Sequence, residues 1–218
     1  MRKSRRTYQA ILDDATRHQV LLERLKTSMV QDILASEVKV ERAIAQTLRD
    51  LESDLLSDLT RRDLDRLLDD LRQKQLEIYA EQTKRLVDKL KDTATFSAER
   101  EAGVLDSWVT RLADESDKFI VPSASAVWKT VESRPVRATG QLLEGFVEGH
   151  SLASIKRVEG AIRNGWAEGK TNGQLVREVL GTKKANYKDG LAMTNRREAE
   201  TVVRTAVQHV ANTARQAT

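Results

Sequence analysis

No glycine or proline occurs before Gly103. Glycine's backbone freedom and proline's missing N–H are the two commonest ways for a chain to leave a helix, so a segment this long with neither is read as helix. Its apolar residues have the matching rhythm: Tyr8, Leu12, Ala15, Leu22, Leu25, Met29, Ile33, Val40, Ile44, Leu48, Leu51 and Leu55. With the two seven-residue gaps taken as double steps, the mean spacing is about 3.6 residues, nearer a straight amphipathic helix than a strict heptad coil. The spacing predicts a helix from about Thr7 to Leu56, on the order of 75 Å long at the usual rise per residue.

Near Ser57 to Asp63 the pattern resets. Thr60 and Asp63 have the spacing of a reciprocal cap that opens a new helix. A second seam follows at Leu64, Leu68, Leu71, Ile78, Leu86 and Leu90, with Gln75 and Gln82 at seam positions. Two arrangements satisfy such seams: an antiparallel hairpin, which is preferred, or one unbroken helix through residue 90 that pairs with other chains. Each buried seam side chain is worth roughly 1.5–3 kcal/mol, against about 0.2–0.5 for an exposed ion pair, so whatever covers the seam decides stability. Residues 1–95 are therefore expected to form an extended, coiled-coil-like helical hairpin. Because its seam is long and narrow, it is expected to self-associate or dock on repeated subunits.

All ten glycines, both prolines and all three tryptophans (Trp108, Trp128 and Trp166) lie in the remainder, which reads as shorter helices in a compact domain over residues 96–218. After a polar break from Asp92 to Ser97, Ser97 can cap a segment carrying Val104, Leu105, Trp108, Val109 and Leu112 that ends before Pro122. Ser123 or Ser125 then opens a stretch with Val127, Trp128 and Val131, stopped by Pro135. Helices are expected at about Val136–Glu148, Leu152–Glu168 and Asn172–Leu180, with Gly149, Gly169 and Gly181 at their ends. Lys183 to Thr194 reads as a loop or small hairpin, and a last helix begins near Asn195. The fold class is all-α.

The composition narrows the chemistry. There is no cysteine, which removes disulfides, thiolate metal sites and cysteine nucleophiles. His18, His150 and His209 are far apart and lack a second ligand at metal spacing, so packing or surface roles are expected. Gly165, Gly169 and Gly173 belong to helix ends rather than a phosphate loop. No Ser-His-Asp pattern or carboxylate constellation marks a catalytic centre, so no enzyme activity and no cofactor are expected. No apolar run is long enough to span a bilayer and no signal-peptide core opens the chain, which points to a protein made in a cytoplasm without a membrane anchor.

The net charge of +4 is unevenly placed: residues 1–60 balance, 61–120 carry −2, 121–180 carry +2 and 181–218 carry +4. Arg2, Lys3, Arg5 and Arg6 form a basic start that is either a solvated end or an arm for an acidic partner. Lys183, Lys184, Lys188, Arg196, Arg197, Arg204 and Arg215 form a second basic group, a candidate for contact with a polyanion such as DNA.

The segment RREAETVVRTAVQHVANTARQAT, residues 196–218, resembles the motif of the Mu F-like phage minor head protein family, roughly Arg-x-Ala-Glu-x-Ile-Ala-Arg-Thr-Glu followed at a distance by Asn-x-x-Arg. The matching residues are Arg197, Ala199, Glu200, Arg204, Thr205, Asn212 and Arg215. An upstream stretch, GWAEGKTNGQLVREVLG, is similar to the family's preceding helix at Gly169, Thr171, Gln174 and Leu175. The chain departs from the pattern at Ala206, where the family usually has Glu. The resemblance implies a virion component at the portal vertex or inner capsid, acting in head morphogenesis. The partners it implies are the portal protein, the major capsid protein and packaged DNA that it would help to retain or release. A helical DNA-binding or coiled-coil interaction protein outside any virion is the alternative. Glu200 and Arg204, one turn apart, are expected to form a pair that either is buried and holds the motif helix, the preferred outcome, or belongs to a partner surface, with Val203, Val207 and Val210 packed under Trp166 or a neighbouring helix.

Overall fold

The computed structural model of the protein describes residues 2–112 and 122–217, with side chains described for residues 9, 10, 12–107 and 122–217. Its described elements are helices: α1 (Arg2–Arg49), α2 (Arg61–Leu112), α3 (Ala124–Ser133), α4 (Leu143–Ala167), α5 (Asn172–Leu180) and α6 (Leu191–Ala217), with 3₁₀ turns at Leu56–Asp58 and Lys183–Ala185. The all-α expectation holds, and α1 and α2 pack on each other as the hairpin rather than forming one rod. Among the described residues, no helix is long and apolar enough to cross a membrane.

The hairpin turn forms where the pattern resets. α1 ends at Arg49, short of the expected Leu56, and α2 opens on the expected reciprocal cap: the Asp63 amide donates to Thr60 Oγ1 at 3.2 Å, and the Thr60 amide donates to Asp63 Oδ2 at 3.3 Å. The connection is bolted to the α4–α5 turn. The Leu56 amide donates to the Lys170 carbonyl at 3.1 Å, the Asn172 amide to the Asp54 carbonyl at 3.0 Å, and Trp166 Nε1 to the Leu59 carbonyl at 3.0 Å. These bonds satisfy backbone groups that a hairpin tip otherwise leaves to solvent.

Two expected breaks are absent and one expected helix is interrupted. Residues 92–97 do not interrupt α2; Thr93 Oγ1 returns a hydrogen bond to the Lys89 carbonyl, and Ser97 is buried in mid-helix rather than capping anything. The expected boundary between residues 95 and 96 thus falls inside a helix. Val136–Glu148 is not one helix either, because a turn closed by the Val136 amide on the Gln141 carbonyl, with Gly140 at φ 72°, precedes α4. Gly149 lies inside α4, where its missing side chain leaves the helix unbroken. Other signals hold: Ser123 rather than Ser125 caps α3, the Thr171–Gln174 capping box opens α5, and Gly169 and Gly181 end α4 and α5 with positive φ.

α6 begins at Leu191, earlier than Asn195, because the loop before it is tightly closed. Asp189 accepts from both the amide and the hydroxyl of Thr182, at 2.7 Å each, and a Cβ on Gly190 would stand 2.2 Å from the Gly181 amide nitrogen. Only glycine permits that approach.

Two apolar cores result. One joins Met29, Val30 and Ile33 of α1, Leu86, Leu90, Ala94 and Ala98 of α2, parts of α3 and α4, and the inner face of α6. The other joins Val40, Ile44 and Leu48, the α2 residues from Leu64 to Tyr79, α4 from Ile155 to Ile162, and α5. Val203, Val207 and Val210 belong to the first core and Trp166 to the second, so the motif valines pack on neighbouring helices and not under Trp166.

The expected docking role of the seam needs correction. Leu22, Met29, Ile33, Val40, Ile44 and Leu48 are buried, but the chain's own α5 and α6 help α2 to cover them. Among the described residues of α1, Leu12, Val20 and Leu21 near its start stay exposed, as does the seam's Leu55 in the turn beyond it, while the seam's Tyr8 side chain lies outside those described. A fragment of residues 1–95 lacks those covering helices. It should therefore gain mass and helicity with concentration in sedimentation and circular dichroism, whereas the full chain should not associate through this seam. A fully helical 1–95 fragment that stays monomeric would mean that the hairpin closes on itself without them.

Candidate interaction site on the last helix

The inner face of α6 is apolar and completely buried: Ala199, Val203, Ala206, Val207, Val210 and Ala214 have no measurable exposure. Helical periodicity then turns the motif's polar residues outward. Arg204 Nε donates to Glu200 Oε1 at 2.9 Å, but the two side chains keep 46% and 41% of their exposure. Of the two arrangements expected, the pair is therefore the exposed one rather than the preferred buried one, and is worth under about 1 kcal/mol. Asn212 accepts from Gln208 across one turn at 3.0 Å, Thr205 is half-buried, and Arg197 is exposed. Arg215 reaches out of α6 to Glu101 of α2 at 2.8 Å. Arg204, Thr205 and Asn212 lie along one groove, while Arg197 lines a different one beside Glu198 and Thr201.

The structure also divides the second basic group. Arg196 forms a two-pronged pair with Glu41 of α1, its Nε–Oε1 arm at 2.6 Å, and the carboxylate hydrogen bond raises the guanidinium's proton affinity. Arg196, Arg204 and Arg215 are each paired to an acid, whereas Arg197, Lys183, Lys184 and Lys188 have no ion pair among the described residues, the lysines being exposed on the loop before α6. The side chains of Arg2, Lys3, Arg5 and Arg6, and those of Trp108, Val109 and Leu112, lie outside the described residues.

One cluster was not legible as a site. Glu37 of α1 is buried to 1% exposure, where its Oε1 shares a 3.0 Å hydrogen bond with His150 Nε2 and its Oε2 accepts from the Tyr79 hydroxyl at 3.2 Å. Tyr79 also meets Ser154 at 2.7 Å, and burial pushes its hydroxyl far above the usual phenol range. Beside it, Arg157 forks onto Glu198 and reaches Asn195 Oδ1 at 3.0 Å. These groups knit α1, α2, α4 and α6 together. They are drawn from four helices far apart in the sequence, so no spacing in the sequence brings them into view. Among the described residues, no group of three or more His, Cys, Asp or Glu side chains is placed to hold a metal ion.

His18 has the packing role expected of it. It is buried, stacked on Phe96 with ring centroids 5.8 Å apart, and neither ring nitrogen has a hydrogen-bond partner among the described residues. Burial lowers its pKa, and the nearby positive charges of Arg100 and Arg215 lower it further.

Comparison with protein-family models, with curated proteins and with solved structures finds no match for the chain.

Two measurements check this geometry. Ala206 occupies the position where the resembled motif carries Glu, and it is fully buried, so Ala206→Glu forces a carboxyl group into the first core; a loss of several kcal/mol in denaturant unfolding is expected. The second concerns acid. A histidine whose folded pKa lies below its unfolded value of about 6.5 contributes stability that is present above that value and lost as pH falls toward the folded pKa. Melting should therefore drop as pH falls below about 6.5, and His18→Phe, which keeps the stack and removes the titration, should flatten that drop. An unchanged acid slope in His18→Phe would refute this role for His18.

Proposed function

We propose that this protein is a minor head component of a tailed phage, acting in head morphogenesis by binding the portal protein or the inner capsid surface rather than by catalysis. The observation that carries the reading is the Mu F-like motif on α6, Arg197 to Arg215. Its apolar positions coincide with the most deeply buried face of the fold, while Arg197, Glu200 and Arg204 are presented outward. A surface pair worth so little to folding is available to a partner. In this reading the protein resides in the phage head near the portal vertex, where it would also meet packaged DNA.

A second reading, a helical DNA-binding protein outside any virion, draws support from the exposed lysines at 183, 184 and 188. It requires duplex binding that falls steeply with salt.

The test is co-sedimentation of the full chain with portal rings. Wild type should sediment with the ring, and Arg197→Glu/Arg204→Glu should lose most of that binding while melting within about 1 kcal/mol of wild type. Absence of ring binding together with strongly salt-dependent duplex binding would replace the first reading with the second. Retention of full ring binding by the double variant would remove the motif from the interface.

A further inference from the structure

Between the turn that follows α3 and the outer face of α6 lies a groove whose α6 wall carries the motif residues Arg204, Thr205 and Asn212. One wall is the Arg134–Ala138 stretch; the other carries Arg204, Thr205, Gln208 and Asn212, and Lys26 of α1 reaches in beside Gln208. Four cationic side chains, Lys26, Arg134, Arg137 and Arg204, line it, and no carboxylate does.

The four charges are not equally engaged. Lys26 Nζ sits 2.8 Å from Glu23, and Arg204 is paired with Glu200, both acids lying outside the lining. The Arg134 guanidinium donates to the neutral amide oxygen of Gln216, at 2.7 Å, and neither it nor the exposed Arg137 has an ion pair among the described residues. Two guanidinium groups therefore face the groove side of the fold without a counter-charge. His209 also lines the groove, and its Nε2 is buried without a hydrogen-bond partner.

We propose that this groove binds phosphate groups. A guanidinium presents a planar fork of N–H donors that matches two oxygens of a phosphate, and two uncompensated forks with neighbouring hydroxyl and amide side chains suit a tetrahedral oxyanion. The lining offers Thr205, Asn212 and Thr213 as further hydrogen-bonding groups. The imidazole Nε2 can accept from a protonated phosphate oxygen or, when charged, donate to one. Apart from His209 the lining holds no aromatic ring, so it lacks the anchor by which peptides and unstacked bases are usually gripped. The lining thus favours phosphate over an acidic peptide, and the site exists whether or not the protein is a head component.

The test is a titration of the full chain with inorganic pyrophosphate, followed by backbone amide shifts and by calorimetry. Saturable binding with shifts at Ala138, Thr205 and Asn212 is expected. Arg134→Gln/Arg137→Gln should weaken it at least about tenfold, while Lys183→Gln/Lys184→Gln, which removes two exposed lysines from the loop before α6, should change it less than about twofold. Because Arg134 also holds Gln216, Arg137→Gln alone serves as the variant that loses no side-chain hydrogen bond or ion pair among the described residues, and it should give part of the same effect. A short DNA duplex that competes with pyrophosphate would identify the phosphates as those of a nucleic-acid backbone; a duplex that does not compete would identify free phosphate compounds. Lack of saturation, equal weakening by the two double variants, or tighter binding of a polyglutamate peptide than of either phosphate probe would overturn the proposal.

Discussion

The fold depends on how closely α6 can approach the hairpin. Its inner face is alanine and valine, and the stretch of α2 in the same core presents Ala94 and Ala98, with Ala102 buried one turn further on. Small side chains on both surfaces let helix axes come nearer than leucine ridges would, and each backbone then gains dispersion contacts along several turns. That approach lets a single helix contact α1 and α2 together and bring its valines into the seam. Larger residues on this face would separate the helices and reopen the seam, since overpacking a filled core costs roughly 1–3 kcal/mol per site.

A layer of buried polar groups lies between the two cores. Along α1, Ser36 and Glu37 follow Ile33 and precede Val40; along α4, His150, Ser151 and Ser154 fall between Val147 and Ile155; α2 contributes Tyr79 and Gln82. A purely apolar seam of this length would tolerate sliding by a turn, because leucines at one level resemble leucines at the next. The Glu37–His150–Tyr79–Ser154 contacts form in one register only, and any slip would strand a carboxyl group inside the protein. The layer thus contributes uniqueness more than net stability. Arg157–Glu198 and Arg196–Glu41 extend the same restraint toward the start of α6.

What the sequence reveals follows from the range of the interactions. The two long helices, their reciprocal cap at Thr60 and Asp63, the Thr171–Gln174 capping box and the glycine ends at 169 and 181 are local events, and local patterns announce them. Polar composition misled at residues 92–97 because Thr93, Ser97 and their alanine neighbours look like a break, yet small polar groups can be buried in mid-helix when a hydroxyl bonds to its own backbone, as Thr93 does. The seam's covering was also obscure. Alanines scarcely register in a hydrophobic pattern, so α6 reads as only modestly apolar although it lies at the centre of the packing. The candidate surface is legible in part: spacing places Glu200 beside Arg204, but it cannot tell an exposed pair from a buried one, nor show that a turn some seventy residues earlier carries Arg134 and Arg137 to the same helix.

These two faces of α6 have opposite sensitivities. On the inner face every atom is matched to a neighbour, and the position of Ala206 shows the consequence: a side chain that a head-protein motif would place there has no volume and no counter-charge to receive it. On the outer face, the Glu200–Arg204 pair and the Gln208–Asn212 bond are short-range contacts within one helix, open to water, each worth tenths of a kcal/mol. Residues there can change with little penalty to folding. The free energy of the fold therefore resides in the alanine and valine stripe, and the opposite side of the same helix contributes little to it.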